Sequence, residues 1–182
     1  LNPTLALDGD YDNGIIAHEY MHGISNRLTG GASNTSCLNN AEQGGEGWSD
    51  YLALMTTQDW GSTTLADSLM QRTIGTYVFN QTPTGSGIRN YPYSLNKTIN
   101  PQTYADLNGT AAGSEVHNIG EIWASALWDM TWRIIQQTGT IEPDIYNATS
   151  NGGNSIAMNL VMTGLKLQVC SPGFIDSRNA IL

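Results

Sequence analysis

Ile15-Ile16-Ala17-His18-Glu19-Tyr20-Met21-His22-Gly23-Ile24 is the stretch on which the rest of this sequence turns. It follows a polar turn, Asp8-Gly9-Asp10-Tyr11-Asp12-Asn13-Gly14. There Asp12 or Asn13 can cap a helix, and acids sit favourably against the positive end of its dipole. Thr29-Gly30-Gly31 then reads as a helix stop. On that helix positions 18 and 22 lie one turn apart on the same face. Two imidazoles so placed can converge on one tetrahedral zinc ion, at about 2.0–2.1 Å from each nitrogen. Glu19 stands beside the metal, where a carboxylate can take a proton from water. Chance is the competing explanation. With average residue usage the pattern arises in about one chain of this length in a few hundred, and this chain has only 3 His.

The positions downstream narrow the type of site. Metzincins place a glycine and a third histidine three and six residues after the second, where this chain has Ser25 and Leu28. One-zinc aminopeptidases place a glutamate nineteen residues after it, where this chain has Ala41. A third ligand from a later helix remains, and Glu42 and Glu46 are the candidates. Glu46 lies in Gly44-Gly45-Glu46-Gly47-Trp48-Ser49-Asp50. Asp50, one helical turn on, can accept a hydrogen bond from the non-metal nitrogen of a ligand histidine and so fix its tautomer. Glu42 has no such partner, since the residue one turn on from it, at position 46, is another Glu, so Glu46 is the favoured ligand and Glu42 the fallback. The bland alternative for both acids is a solvated helix N-terminus. His117, in Glu115-Val116-His117-Asn118, completes the histidines. It can donate to a developing oxyanion, although a lone histidine is more often structural.

Around these motifs the chain reads as mainly α. Helices are expected over about 45–59, 66–80, 116–137 and 155–169, with a short last one opened by Ser171-Pro172. Residues 81–113 form a long Pro- and Gly-punctuated excursion, of the kind that is usually functional. Strands are expected to be sparse.

The 182 residues carry a net charge of −9, with 7 Lys plus Arg. With no basic cluster, neither nucleic acid nor an anionic membrane surface is an expected partner. No apolar run reaches the roughly 18–20 residues that span a bilayer. The first residue is Leu1 and no signal peptide follows it, which leaves secretion open. Cys37 and Cys170 are an even pair in an acidic chain, which fits one disulfide in an oxidising compartment; two separate buried thiols are the alternative.

The run His18 to Gly31, His-Glu-Tyr-Met-His-Gly-Ile-Ser-Asn-Arg-Leu-Thr-Gly-Gly, resembles the fungalysin metallopeptidases, which are secreted, thermolysin-like zinc endopeptidases. The resemblance continues through Gly45-Glu46-Gly47-Trp48-Ser49-Asp50-Tyr51, Gly87-Ile88-Arg89, Tyr91-Pro92-Tyr93-Ser94 and Glu115-Val116-His117-Asn118-Ile119-Gly120-Glu121. It ends at Gly164–Pro172 and Arg178–Leu182, so it spans nearly the whole chain in order.

That resemblance implies a fold, a site and partners. The chain 1–182 would be a single helical lobe, the C-terminal lobe of a thermolysin-like catalytic domain, with the β-rich N-terminal lobe missing from it. His18, His22 and Glu46 would bind one zinc. Glu19 would be the general base, Asp50 would orient His18, and His117 would stabilise the transition state. Arg89 would hold a substrate carbonyl, with an internal salt bridge as its alternative, and Cys37 and Cys170 would pair. The activity implied is hydrolysis of peptide bonds in protein or peptide substrates by a metal-activated water, outside the cell. A propeptide and the β-rich lobe are expected partners. Two other classes stand against it. One is a zinc-stabilised binding module without catalysis, against which Glu19 and His117 argue. The other is a calcium-binding domain built on Asp8, Asp10 and Asp12, against which Asn13 argues because such a loop needs glycine there.

Overall fold

In the computed structural model, which describes residues 7–108 and 115–182, the chain is helical. Five α-helices follow in order: α1 Asn13–Leu28, α2 Gly45–Thr57, α3 Val116–Thr138, α4 Gly153–Leu167 and α5 Phe174–Ile181. They pack as successive neighbours, α1 on α2, α2 on α3, α3 on α4 and α4 on α5. Among the described residues the nearest approach to a sheet is one isolated antiparallel bridge, Arg72 with Tyr93.

The buried centre is α2, whose residues from Gly47 to Met55 are all buried. A helix buried on every side belongs between two others, and α1 and α3 flank it. Trp48 meets Trp123 of α3 edge to face at 5.1 Å, a favoured aromatic geometry. Behind them Trp60, Trp128 and Trp132 form a second aromatic cluster, with centroids 5.8–6.2 Å apart. Tyr51 and Thr131 pair their buried hydroxyls at 2.9 Å between α2 and α3.

Asp12 caps α1 as expected. Its Oδ1 accepts from the Gly14 and Ile15 backbone N–H groups at 2.9 and 3.3 Å, and its Oδ2 accepts from Tyr77 N at 3.1 Å. One carboxylate thus sets the start of the metal-motif helix and ties it to the loop at 77.

The helix expected over 66–80 does not form. Only a 3-10 turn, Leu65–Leu69, occupies that region. Leu69 and Met70, read as part of an apolar face, are exposed, while Ile74 is buried. The chain instead pairs with the loop beyond it. Ile88 N donates to Ile74 O at 2.9 Å, and Arg72 and Tyr93 exchange both backbone hydrogen bonds. Gly75, at φ +77°, lets Ile88 pack against its backbone, where a β-carbon would lie 2.6 Å from Ile88 Cγ2. Long-range pairing here overrides local helical spacing. Of the excursion 81–113, residues 109–113 lie outside the described residues.

A disulfide joins Cys37, in the α1–α2 loop, to Cys170, between α4 and α5, across 133 residues.

Candidate metal centre

Two helices supply three donors to one point. From α1 come His18 and His22, and from the first turn of α2 comes Glu46. His18 Nε2 lies 3.1 Å from His22 Nε2 and 3.0 Å from Glu46 Oε2, and His22 Nε2 lies 3.4 Å from Glu46 Oε1. A tetrahedral zinc ion with bonds of about 2.0–2.1 Å sets its donor atoms about 3.3 Å apart. The observed separations match that edge, and two imidazoles with a carboxylate are a donor set zinc accepts. Among the described residues this is the one group of His, Cys, Asp and Glu side chains whose donors converge in this way.

Close backbone contact lets α2 present Glu46 there. Gly47 and Gly120 lie against each other, and a β-carbon on Gly47 would fall 2.3 Å from Gly120 O. Only a residue without a side chain fits either position, so α3 reaches the backbone of α2 at the turn that carries Glu46.

Behind the donors sits Asp50, wholly buried. Its Oδ1 accepts from His18 Nδ1 at 2.6 Å and Arg89 Nη2 at 2.9 Å. Its Oδ2 accepts from Arg89 Nε at 2.6 Å and from the Tyr93 hydroxyl. A carboxylate can only accept, so His18 Nδ1 carries a hydrogen and Nε2 is turned to the cluster. Asp50 thus lies against the His18 nitrogen that faces away from the cluster. Arg89, expected to hold a substrate carbonyl, directs two nitrogens to Asp50, and its side chain is 5% exposed. Its Nη2 is also 3.6 Å from Glu46 Oε2.

The charges are mutually supporting. Burial alone would push the His18 imidazole down, but hydrogen bonds to Asp50 and Glu46 outweigh it and raise the pKa to about 9. Burial would raise Glu46, yet contacts with His18 and His22 hold its carboxyl well below the usual range. Asp50 behaves likewise, its burial overcome by His18 and Arg89. A metal binding here would displace the proton that His18 holds at its cluster nitrogen, which makes affinity dependent on pH.

His117 opens the solvent side. It sits in the first turn of α3, its side chain 51% exposed, with Nε2 3.5 Å from Glu46 Oε2. Its Nδ1 is 2.6 Å from Glu115 Oε1, while Glu115 Oε2 caps α3 by accepting from Asn118 N at 2.8 Å. One carboxylate both starts the helix and holds the ring at its Nδ1. Glu19 is exposed on α1 and borders an open hollow with Tyr20 and Ile24. Cavities flank the cluster, one of about 370 Å³ lined by Arg89, Asn90, Glu115 and His117, the other of about 270 Å³ lined by His22, Asn26, Thr35 and Glu46.

The other candidates lie elsewhere. Glu42, the alternative third ligand, accepts from Phe174 N at 2.9 Å, at the start of α5. Asp8 accepts from Asp10 N at 3.1 Å and Asp12 caps α1, so two of the three aspartates considered for calcium serve local backbone. Sequence reading missed Tyr93, Glu115 as the partner of His117, and the two glycines between α2 and α3. Of these only Glu115 left a local signal, an acid two residues before a histidine.

A family model described as fungalysin metallopeptidase (M36) matches residues 2–182. Extracellular metalloproteinase 2 of Arthroderma gypseum is 44% identical over 180 residues, covering 96% of this chain and 27% of that protein. Extracellular metalloproteinase 2 of Trichophyton rubrum and extracellular metalloproteinase mep of Aspergillus fumigatus are each 42% identical, with the same coverage. The chain thus spans about 27% of the length of these curated relatives.

Proposed function

The chain belongs to the fungalysin metallopeptidase family, and from that premise we propose that it is the zinc-binding helical lobe of a secreted endopeptidase. The observation that carries this reading is the convergence of His18 Nε2, His22 Nε2 and Glu46 within 3.0–3.4 Å of one another. Three protein donors, beside cavities on two sides, suit a catalytic zinc, whereas structural sites are closed by four. Secretion is supported by the relatives' names as extracellular metalloproteinases and by the disulfide. No helix among the described residues is long and apolar enough to cross a membrane.

His18, His22 and Glu46 hold the metal. Bound zinc supplies Lewis acidity, activating water and polarising a scissile carbonyl. Asp50 keeps the His18 ring turned inward. Glu19 takes the proton of the attacking water and passes it to the leaving amine. Protonated His117, its Nδ1–H held by Glu115, donates from Nε2–H to the oxyanion as it develops on the peptide carbonyl. Arg89 lines the cavity beside His117 while it binds Asp50 through Nε and Nη2, and a substrate carbonyl is the second contact proposed for it. A β-rich lobe and a propeptide, in this reading, belong to the length of the relatives that this chain does not span.

The test is metal content by plasma mass spectrometry after dialysis against metal-free buffer, with casein digestion by the whole protein. About one zinc per chain and zinc-dependent cleavage are expected. Zinc without cleavage would leave a binding module. No zinc, even after it is added back, would remove the proposal.

A further inference from the structure

Glu121, on α3, is a buried carboxylate with no part in the chemistry above. It is 1% exposed. Its Oε1 accepts from Tyr91 N at 2.7 Å, and its Oε2 accepts from both Asn90 N and Asn90 Nδ2 at 3.0 Å. Asn118, one turn earlier, takes the Asn90 amide again at 2.7 Å. Three donors and no acceptor face this group, which suits a carboxylate. A neutral amide in its place would turn an NH2 toward one of those donors. Burying such a group costs free energy unless its hydrogen bonds are made, and here they all go to one short piece of loop.

That piece carries the support of the metal centre. Arg89 immediately precedes it and binds Asp50 through Nε and Nη2. Tyr93 follows it, gives its hydroxyl to Asp50, and is pinned at its backbone by Arg72. Asp50 in turn holds His18 Nδ1 at 2.6 Å. We infer that Glu121 is a positioning residue for the metal centre. Its carboxylate fixes the loop that delivers Arg89 and Tyr93 to Asp50, and so fixes the ring of His18. The chain of contacts runs from α3 through the loop to α2 and then α1. The inference rests on His18 being a zinc ligand.

The experiment is a cycle of Glu121→Gln and Arg89→Ala in the whole protein. Zinc affinity is read by competition with a chromophoric chelator, and folding by circular dichroism. Outer partners of metal ligands typically set affinity about 10–100-fold. Glu121→Gln is expected to lower zinc affinity about tenfold. The double variant is expected to bind no more weakly than Arg89→Ala alone, because both act through one path. A residue with a merely structural role would give effects that multiply. Asn90→Ala, which deletes one donor and leaves Glu121 in place, is measured alongside and should cost less while coupling to Arg89 in the same way. Parent-like zinc affinity in the folded single variants, or multiplying effects in the double, overturns the inference. A parent that binds no zinc fails at the metal centre itself and takes the inference with it.

Discussion

Gly120 of α3 lies directly over Glu46 of α2, so that a β-carbon at position 120 would stand 2.4 Å from Glu46 Cβ and 2.5 Å from Gly47 N. No real side chain tolerates that spacing, and the atoms it would strike belong to the turn that presents the third donor. Gly120→Ala is therefore expected to push Glu46 off the cluster. Overpacking typically costs about 1–3 kcal/mol. The loss should show twice, as a lower melting temperature and as a fall in zinc affinity of about tenfold or more. An alanine variant that melts and binds zinc like the parent would mean the two helices part at no cost to the site.

The two glutamates near the start of α2 should separate cleanly. Glu46 sits within 3.0–3.5 Å of all three histidines, whereas Glu42 accepts from Phe174 N. Glu46→Ala is expected to abolish stoichiometric zinc. Glu42→Ala is expected to keep zinc and to lose about 0.5–2 kcal/mol, the usual cost of a lost helix cap. Zinc analysis and thermal melts on both variants decide it. Zinc lost from Glu42→Ala and kept in Glu46→Ala would reverse the assignment of the third ligand.

What was legible in the sequence was local. The cap at Asp12, the one-turn spacing of His18 and His22, and the one-turn spacing of Glu46 and Asp50 are properties of single helices. The expected spans 45–59, 116–137 and 155–169 lie close to Gly45–Thr57, Val116–Thr138 and Gly153–Leu167. Periodicity misled at 66–80, because residues 72–74 pair with 88–93 across a loop that no local pattern announces. The same limit hid Tyr93 and Glu121, whose roles depend on which element the loop meets. Gly47 and Gly120 read only as weak helix formers, because their reason is a backbone contact 73 positions apart in the chain. For Arg89 both readings were available, and the internal salt bridge to Asp50 is the one the fold displays.

The disulfide acts on stability at long range. Cys37 and Cys170 close a loop with a sequence separation of 133, and removing a bridge of this kind typically costs about 2–5 kcal/mol. The Cys37→Ser, Cys170→Ser double variant is expected to lose about that much unfolding free energy. Its zinc stoichiometry should not change, since none of the three donors touches either cysteine. Denaturant unfolding in oxidising buffer, followed by zinc analysis of the folded variant, measures both. Unchanged unfolding would show that the neighbouring contacts hold without the bridge. One of these is the Ser171 N to Cys37 O bond at 2.8 Å.

The proton handling proposed for Glu19 and the oxyanion support proposed for His117 can be told apart because the two residues sit on different helices. Glu19 is on α1 beside His18, and His117 is on α3 with its Nδ1 fixed by Glu115 at 2.6 Å. Neither belongs to the donor set, so Glu19→Gln and His117→Ala should both retain about one zinc. Glu19→Gln removes the proposed base and is expected to lower kcat by about 10²–10⁴-fold. His117→Ala removes the donor proposed to act only as charge develops, so kcat should fall about 10²–10³-fold with KM little changed. Glu115→Gln keeps the ring but weakens the charged hydrogen bond that holds its Nδ1–H, and its kcat should lie between His117→Ala and the parent. Steady-state kinetics of the whole protein on a peptide substrate resolve all three. A Glu19→Gln variant with near-parental turnover would strip that residue of its role. A His117→Ala variant that raised KM alone would make His117 a binding group, because support confined to the transition state cannot appear as ground-state affinity.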